Sequence, residues 1–191
     1  MEEVILATNN KGKIAELKEI LKNKEVISLK EAGIDIEVEE TEDTFEGNAL
    51  KKATEIAKLT GKTCIADDSG LCIDELNGFP GVKTARFLGE NATQSDRNNY
   101  ILEKMKGIEK EKRKASAITC IAIVNSKGEQ RTYLGKLDGY IATEKRGNNG
   151  FGFDEIFELE NGSTLAELDT AEKNKISSRR QALDKLKEEK D

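Results

Sequence analysis

The chain has 191 residues, enough for one sizeable domain and too few for two comfortable ones. It is 36% charged and 36% hydrophobic, carries a net charge of −6 at pH 7 and has no histidine. The acidic balance argues against a general nucleic-acid surface, and the missing imidazole excludes Ser-His-Asp triads, Cys-His pairs and HExxH zinc sites. Any metal would sit among oxygen ligands, which favours Mg²⁺ or Mn²⁺. No apolar run approaches the roughly 20 residues of a membrane span. The start, Met1-Glu2-Glu3-Val4, shows no signal or transit peptide. Cys64, Cys72 and Cys120 are odd in number and lack CxxC spacing, which points to buried reduced thiols in a cytoplasmic protein without a membrane partner.

Val4-Ile5-Leu6-Ala7 reads as a short buried strand. The polar run Thr8-Asn9-Asn10-Lys11-Gly12-Lys13 follows, and Ile14, Leu17, Ile20 and Leu21 then recur at helical spacing, with Asn10 as N-cap. The first amides of such a helix lack internal partners and its dipole favours an anion, so Lys11 and Lys13 complete a phosphate-cradle arrangement. It is not a Walker A loop, because the earlier glycine and the following Ser or Thr are missing. Taken alone, the run also reads as an ordinary capped helix with solvated lysines. Val26-Ile27-Ser28-Leu29 is a second strand, and Ile34, Ile36 and Val38 alternate with acidic residues as a strand with one wet face would. A capping box from Asp43 to Glu46 opens a helix to about residue 59, leaving Glu39 and Glu40 on a strand-to-helix loop.

Thr63-Cys64-Ile65-Ala66 re-enters the sheet and runs into Asp67-Asp68-Ser69-Gly70. Adjacent carboxylates repel and are costly beside a core, so the stretch is either a polar turn or a place built for a cation. If the strand continues, the two acids point to opposite faces. Leu76-Asn77-Gly78-Phe79-Pro80-Gly81-Val82 is a turn holding the only proline, and Arg86 after it is placed for a phosphate or a surface acid. Residues 93–106 read as a helix, 115–124 as a strand apolar on both pleats, Asn125-Ser126-Lys127-Gly128 as a hairpin turn and 132–142 as the returning strand. That antiparallel pair inside a βα-like chain predicts a mixed sheet.

Arg146-Gly147-Asn148-Asn149-Gly150-Phe151-Gly152-Phe153-Asp154 frames two aromatics with glycines, either as a slot in which a flat ring stacks or as a loop pinned by core aromatics. Ile156-Phe157 resumes a strand, residues 164–168 and 171–174 form short helical turns, and Ser177-Ser178-Arg179-Arg180 opens a final helix whose apolar side is Ala182, Leu183 and Leu186. Lys173, Arg179 and Arg180 read as a basic cluster at that helix start. Positive groups for phosphates, oxygen ligands for a divalent metal and an aromatic slot for a base together describe a nucleotide site, and all lie at the ends of core elements.

In these motifs the sequence resembles the inosine triphosphate pyrophosphatase family, also called Ham1-like. The match rests on Leu6-Ala7-Thr8-Asn9-Asn10-Lys11-Gly12-Lys13, Glu40-Thr41 with Thr44-Phe45 and Asn48-Ala49, Ala66-Asp67-Asp68-Ser69-Gly70-Leu71, Gly78-Phe79-Pro80-Gly81, Ala85-Arg86, Gly150-Phe151-Gly152-Phe153-Asp154, and Glu172-Lys173-Asn174 with Ile176-Ser177. The resemblance implies a single mixed α/β domain over the whole chain, with a long central sheet flanked by helices and two lobes around a nucleotide-binding cleft. It also implies a homodimer, and Mg²⁺-dependent hydrolysis of ITP, dITP or XTP to the monophosphate and pyrophosphate. Thr8, Asn9, Asn10, Lys11, Gly12 and Lys13 match the triphosphate-binding loop. Glu40 and Asp68 match the metal-ligating acids, Asp68 being also the general base, and Ser69 matches a substrate contact. Phe151, Gly152, Phe153, Asp154, Lys173, Ser178 and Arg179 match the base-recognition elements.

Three positions depart from that pattern: Ser178 stands where histidine is commonest, Phe153 where Tyr or Trp is common, and Glu155 where Pro is common. Shorter or more acidic groups there bear on base selectivity rather than on the pyrophosphatase chemistry. The alternatives are a pyrophosphatase for other altered nucleotides, such as modified pyrimidine triphosphates, and a nucleotide-binding sensor without turnover.

Overall fold

The structure, a computed structural model, describes residues 3–22 and 24–188. Six strands form one mixed sheet in the order β2-β1-β3-β4-β5-β6. β1 (Val4–Leu6) runs parallel to β2 (Val26–Ser28) and to β3 (Thr63–Ile73), and β5 (Gln130–Ile141) is antiparallel to β6 (Phe157–Glu158). β4 (Lys114–Val124) is joined to β5 by a turn in which the Gly128 amide donates to the Asn125 carbonyl at 2.9 Å. The helices are α1 (Lys11–Ile20), α2 (Phe45–Thr60), α3 (Gln94–Lys104), α4 (Thr170–Ile176) and α5 (Ser178–Glu188). This is the mixed α/β architecture that the pattern of elements predicts.

The chain divides into two compact units. The first takes in Met1–Asp68, Thr119–Gly135 and Ser178–Asp191, the second Ser69–Ile118 and Lys136–Ser177. In the first unit, strand periodicity sorts the core onto two faces of the sheet. Ile5, Ala7, Cys64, Ala66, Cys120, Ala122 and Val124 pack with Ala49, Ala53, Ile56 and Ala57 of α2. Val4, Leu6, Ile65, Ile121 and Tyr133 pack with Leu17 and Ile20 of α1 and with Ala182, Leu183 and Leu186 of α5. The second unit has its own core, built around Leu71, Ile73, Phe87, Ile101, Met105, Ile141, Ile156 and Phe157. Arg113 is buried there, and its guanidinium donates to the carbonyls of Ile141, Met105, Ile108 and Ala142, so a charge inside a core is met by four peptide dipoles.

Two expectations are corrected. Residues 34–38 form no strand. Ile34 and Val38 pack against the first unit's core while Ile36 stays 41% exposed. Alternate burial therefore exists without a partner ladder, and the period of two marks an extended chain lying on a core rather than a paired strand. The N-cap of α2 is Thr44, not Asp43: its hydroxyl accepts from the Gly47 amide at 3.0 Å, and the αL residue Gly61 closes the helix. Cys64 and Cys120 are buried and free, and Cys72 is half-buried and free.

Candidate active site

β3 does not stop at the acid pair. It runs straight through Asp67, Asp68, Ser69 and Gly70, so the polar-turn alternative is out. Strand alternation then assigns the two acids to different surroundings. Asp67 follows Ile65 onto the face covered by α1 and α5, and Asp68 follows Ala66 onto the face covered by α2. Each meets what its helix supplies. Asp67 Oδ2 lies 3.1 Å from Lys13 Nζ and 2.8 Å from Arg179 Nη2. Asp68 Oδ2 accepts from Asn48 Nδ2 at 3.1 Å.

The parallel register Leu6↔Ile65 carries the loop after β1 alongside the same part of β3. In that loop Thr8 Oγ1 accepts from the Asn10 amide, and Asn10 Oδ1 accepts from the Lys13 amide, capping α1. Glu16 sits one helical turn beyond Lys13, is buried, and pairs with Arg179 Nη1. Lys13, Asp67, Arg179 and Glu16 thus alternate in sign through a buried chain of contacts.

On the α2 side, Asn48 and Lys52 are four residues apart and share a face. Lys52 Nζ donates to Glu40 Oε1 at 2.6 Å and to the Asp67 carbonyl at 2.7 Å. Asn48 also accepts from the Glu42 amide at 2.9 Å, which fixes the loop that carries Glu40.

These neighbours separate the acids electrostatically. Burial pushes the Asp68 carboxyl up to about 6, the Glu40 charge adds to the push, and Lys52 opposes it. Burial acts on Asp67 in the same direction, but Lys13, Arg179 and Lys52 outweigh it and hold Asp67 below the usual carboxylate range. Burial lowers the Lys13 ammonium, with Asp67 resisting. Arg179 is held above its ordinary value because Asp67 and Glu16 overcome the cost of burial.

Elsewhere in the first unit, the Ser178 hydroxyl lies 2.8 Å from Thr119 Oγ1 and is buried. Arg180 pairs with Asp184. The basic residues read as one cluster therefore go to separate acids. Arg86, in the second unit, donates to the Val82 carbonyl at 3.4 Å.

In the second unit, the glycine-aromatic segment is tied down at both aromatics. Asp154 Oδ2 accepts from the Phe151 amide at 2.9 Å and from Lys173 Nζ at 2.6 Å, and the same ammonium lies 4.3 Å from the centre of the Phe151 ring. Gly150 has φ of 74°, and a Cβ there would come within 2.0 Å of Asp154 Oδ2, so only glycine admits the carboxylate. Phe153 packs on the second unit's core, stacked on Phe87 at 6.4 Å with 13° between the rings. Phe151 stands outside that core and is half-buried. Phe153 thus pins the loop to the core, while Phe151 carries the Lys173 ammonium against its ring. Ser69 belongs to this unit, at the point where β3 enters it.

Residues 4–189 match the family model described as the Ham1 family. The chain belongs to the Ham1 family. Among its relatives, a Bacillus subtilis (strain 168) protein named dITP/XTP pyrophosphatase is 48% identical over 189 residues, spanning 97% of this chain and 96% of that one. A Clostridium perfringens (strain 13 / Type A) protein of the same name is 47% identical over 197 residues, spanning 98% and 97%. Among solved structures, a HAM1 protein from Coxiella burnetii superposes with a TM-score of 0.86 at 42% identity, covering 97% of this chain and 96% of that one. The Staphylococcus aureus Ham1 protein gives 0.85 at 39% identity, covering 97% and 96%.

For this Ham1-family chain, Glu40 and Asp68 fit a hard divalent cation in their donor chemistry. Both offer only carboxylate oxygens, and the Glu40 charge acts on Asp68. Among the described residues no group of three His, Cys, Asp or Glu side chains is preassembled for a metal. Mg²⁺ is commonly held by one or two carboxylates, with waters and substrate phosphate oxygens completing its shell. Three residues escaped the sequence reading: Lys52, Asn48 as a brace for Asp68, and Glu16. The signal for the first two was their i, i+4 spacing on α2. A lysine on an amphipathic helix reads as solvated, however, and only the fold shows that it is buried.

Proposed function

We propose that this protein hydrolyses dITP, ITP and XTP to the nucleoside monophosphate and pyrophosphate, clearing noncanonical purines from the nucleotide pool. The observation that carries the reading is Asp68, a buried carboxyl with a raised proton affinity beside Glu40, one residue from an acid locked to Lys13 and Arg179. The names borne by its full-length Ham1 relatives support the same substrates.

In this reading the triphosphate lies against Thr8, Asn9, Asn10, Lys11, Gly12 and Lys13, where the α1 amides and the Lys13 ammonium offset charge on the departing pyrophosphate. Asp68 orients the attacking water and takes its proton at a carboxylate oxygen. The oxygen of that water bonds to the α-phosphorus, and the bond to the bridging oxygen of the β-phosphate breaks. Mg²⁺, or Mn²⁺ in its place, would be held by Glu40 and Asp68 and supplies positive charge to the phosphate oxygens when bound. Ser69 contacts the substrate. Phe151, Gly152, Phe153, Asp154, Lys173 and Arg179 form the base-recognition set. Ser178 belongs to the same set, its hydroxyl steadied by Thr119 and shorter than the histidine common there, so selectivity leans on the Phe151 loop and Lys173. The protein acts as one nucleotide pyrophosphatase domain, as a homodimer in the cytoplasm. Its free cysteines agree with a reducing compartment.

The deciding assay is pyrophosphate release across ITP, XTP, dITP, GTP, ATP and dUTP, with Mg²⁺ and again with a chelator. Release from ITP, XTP and dITP well above GTP, lost on chelation, is the expected result. Equal rates on all six would remove base discrimination, release from dUTP alone would point to altered pyrimidines, and binding without release would make the protein a sensor.

A further inference from the structure

Besides the ties that Asp154 makes to the Phe151 amide and to Lys173, the glycine-aromatic segment of the second unit is gripped by α3. Asn98 is buried on α3 at 1% exposure, and both of its amide hydrogens go to the segment that follows Phe151. Its Nδ2 donates to the Gly152 carbonyl at 3.1 Å and to Glu155 Oε1 at 2.7 Å. Its Oδ1 accepts from Gln94 Nε2 at 2.9 Å, which fixes the amide's orientation within the same helix. One residue earlier, Arg97 donates to the carbonyls of Phe87, Ala92 and Gly89 at 2.8 to 3.0 Å. One helix therefore holds both rings of the Phe87–Phe153 stack, Phe87 through Arg97 and Phe153 through Asn98. Glu155 is turned to this brace. It takes the Asn98 hydrogen bond, and Lys145 Nζ lies 3.5 Å from the same oxygen while donating to Ser95 Oγ at 2.7 Å.

We propose that Asn98 is a positioning residue for the nucleotide base: through Gly152 and Glu155 it sets where Phe151 and Asp154 stand, and thus how tightly a purine ring is held. The inference rests on the reading that the Phe151–Asp154 segment holds the base. Its chemistry is directional. Only an amide donates two hydrogens to the loop while accepting one from Gln94, and Asp at this position would set a carboxylate against the Glu155 carboxylate and the Gly152 carbonyl.

The test separates base from phosphate. Steady-state kinetics with ITP are measured beside inhibition by inorganic tripolyphosphate, which carries the phosphate chain without a base. Asn98→Asp raises KM for ITP by about 10- to 100-fold, the scale of an ångström-sized misplacement. It changes kcat less, and it leaves the tripolyphosphate inhibition constant within twofold. Glu155→Ala, which buries no new charge and carries the test if Asn98→Asp does not fold, moves KM in the same direction by about three- to tenfold. Asn98→Asp combined with Glu155→Gln recovers most of the loss, because the glutamine amide donates where the asparagine did. A KM for ITP within twofold of the parent in both single variants would overturn the proposal, as would tripolyphosphate inhibition weakening in step with KM. Phe151→Ala is run alongside. If it raises KM and the Asn98 and Glu155 variants do not, only the positioning role fails. If it too leaves KM unchanged, the base-binding reading of the segment fails with it.

Discussion

Burial pushes the Asp68 carboxyl up to about 6 while Asp67, its neighbour in the same strand, is held below the usual carboxylate range by Lys13 and Arg179. The cause is strand geometry: successive side chains face different helices, and those helices carry different partners. Asp67 has two cations and a fixed charge, so it organises its neighbours. Burial and the Glu40 charge raise Asp68 further than Lys52 and the Asn48 amide lower it, so it is the acid suited to exchange a proton near neutral pH. Asp68→Asn keeps the volume and a carbonyl oxygen for Asn48 but cannot take a proton. Turnover of ITP is expected to fall by about 10²- to 10⁴-fold, with a thermal midpoint within a few degrees of the parent, because an unfavourable buried charge is also removed. Rapid-quench single-turnover rates and a melting curve decide it, and near-normal turnover would take Asp68 out of the mechanism. In the sequence, Asp68 stands out because it matches the family's general base, in a chain whose lack of histidine makes a carboxylate the natural candidate. The sequence alone did not reveal that Lys52 closes the site, since its partners, Glu40 and the Asp67 carbonyl, come from a loop and from a different strand.

At the level of elements, helix signals held apart from the α2 cap, which is Thr44 rather than Asp43, and strand signals partly failed. Asn10 caps α1 as read, and Thr93 with Asp96 forms a full capping box at the start of α3. Such caps are local chemistry and need no tertiary partner, so they are readable in one dimension. Whether alternating residues become a strand depends on a neighbour, and residues 34–38 show the same alternation without one. Asp67, Asp68, Ser69 and Gly70 show the converse, a strand that composition disguises as a turn, made possible because α1, α2 and α5 bring groups that accept the acids. The packing of α5 depends on one residue with no side chain. A Cβ on Gly135 would lie 1.8 Å from the Ser178 carbonyl oxygen and 2.7 Å from the Ala182 amide nitrogen. The obstacle is helix backbone, which cannot rotate aside. Gly135→Ala is expected to cost about 3 kcal/mol or more through overpacking, read as a melting point lower by roughly 2–4 °C per kcal/mol. A midpoint unchanged within a degree would show that α5 is not seated on β5 as described.

Across the whole chain, the site is an assembly of distant positions. Arg179 reaches Asp67 across 112 positions and Glu16 across 163, so residues from near both ends of the sequence meet in one buried network. This explains what a single sequence conceals. Stretches such as residues 8–13 at the start of α1 and Asp67-Asp68-Ser69-Gly70 within β3 carry local motifs, whereas Glu16 looks like any surface acid on an amphipathic helix until Arg179 arrives from α5. The energetics of such a network are those of buried charges, where attraction roughly balances desolvation but a lost partner is costly. Arg179→Met should therefore destabilise by about 3–5 kcal/mol, because Glu16 and Asp67 stay buried without the guanidinium. Replacing Glu16 as well, with Leu, removes one of the acids left behind. The double variant Glu16→Leu/Arg179→Met is thus expected to be more stable than the sum of the single changes predicts, with a coupling of at least about 1 kcal/mol. Urea unfolding of the four proteins measures this directly, provided that their slopes agree. Additivity within about 0.5 kcal/mol would mean that the contact between Glu16 and Arg179 is structurally close but energetically independent. A cooperative result would make the seating of α5 over β3 part of what shapes the surroundings of Asp67.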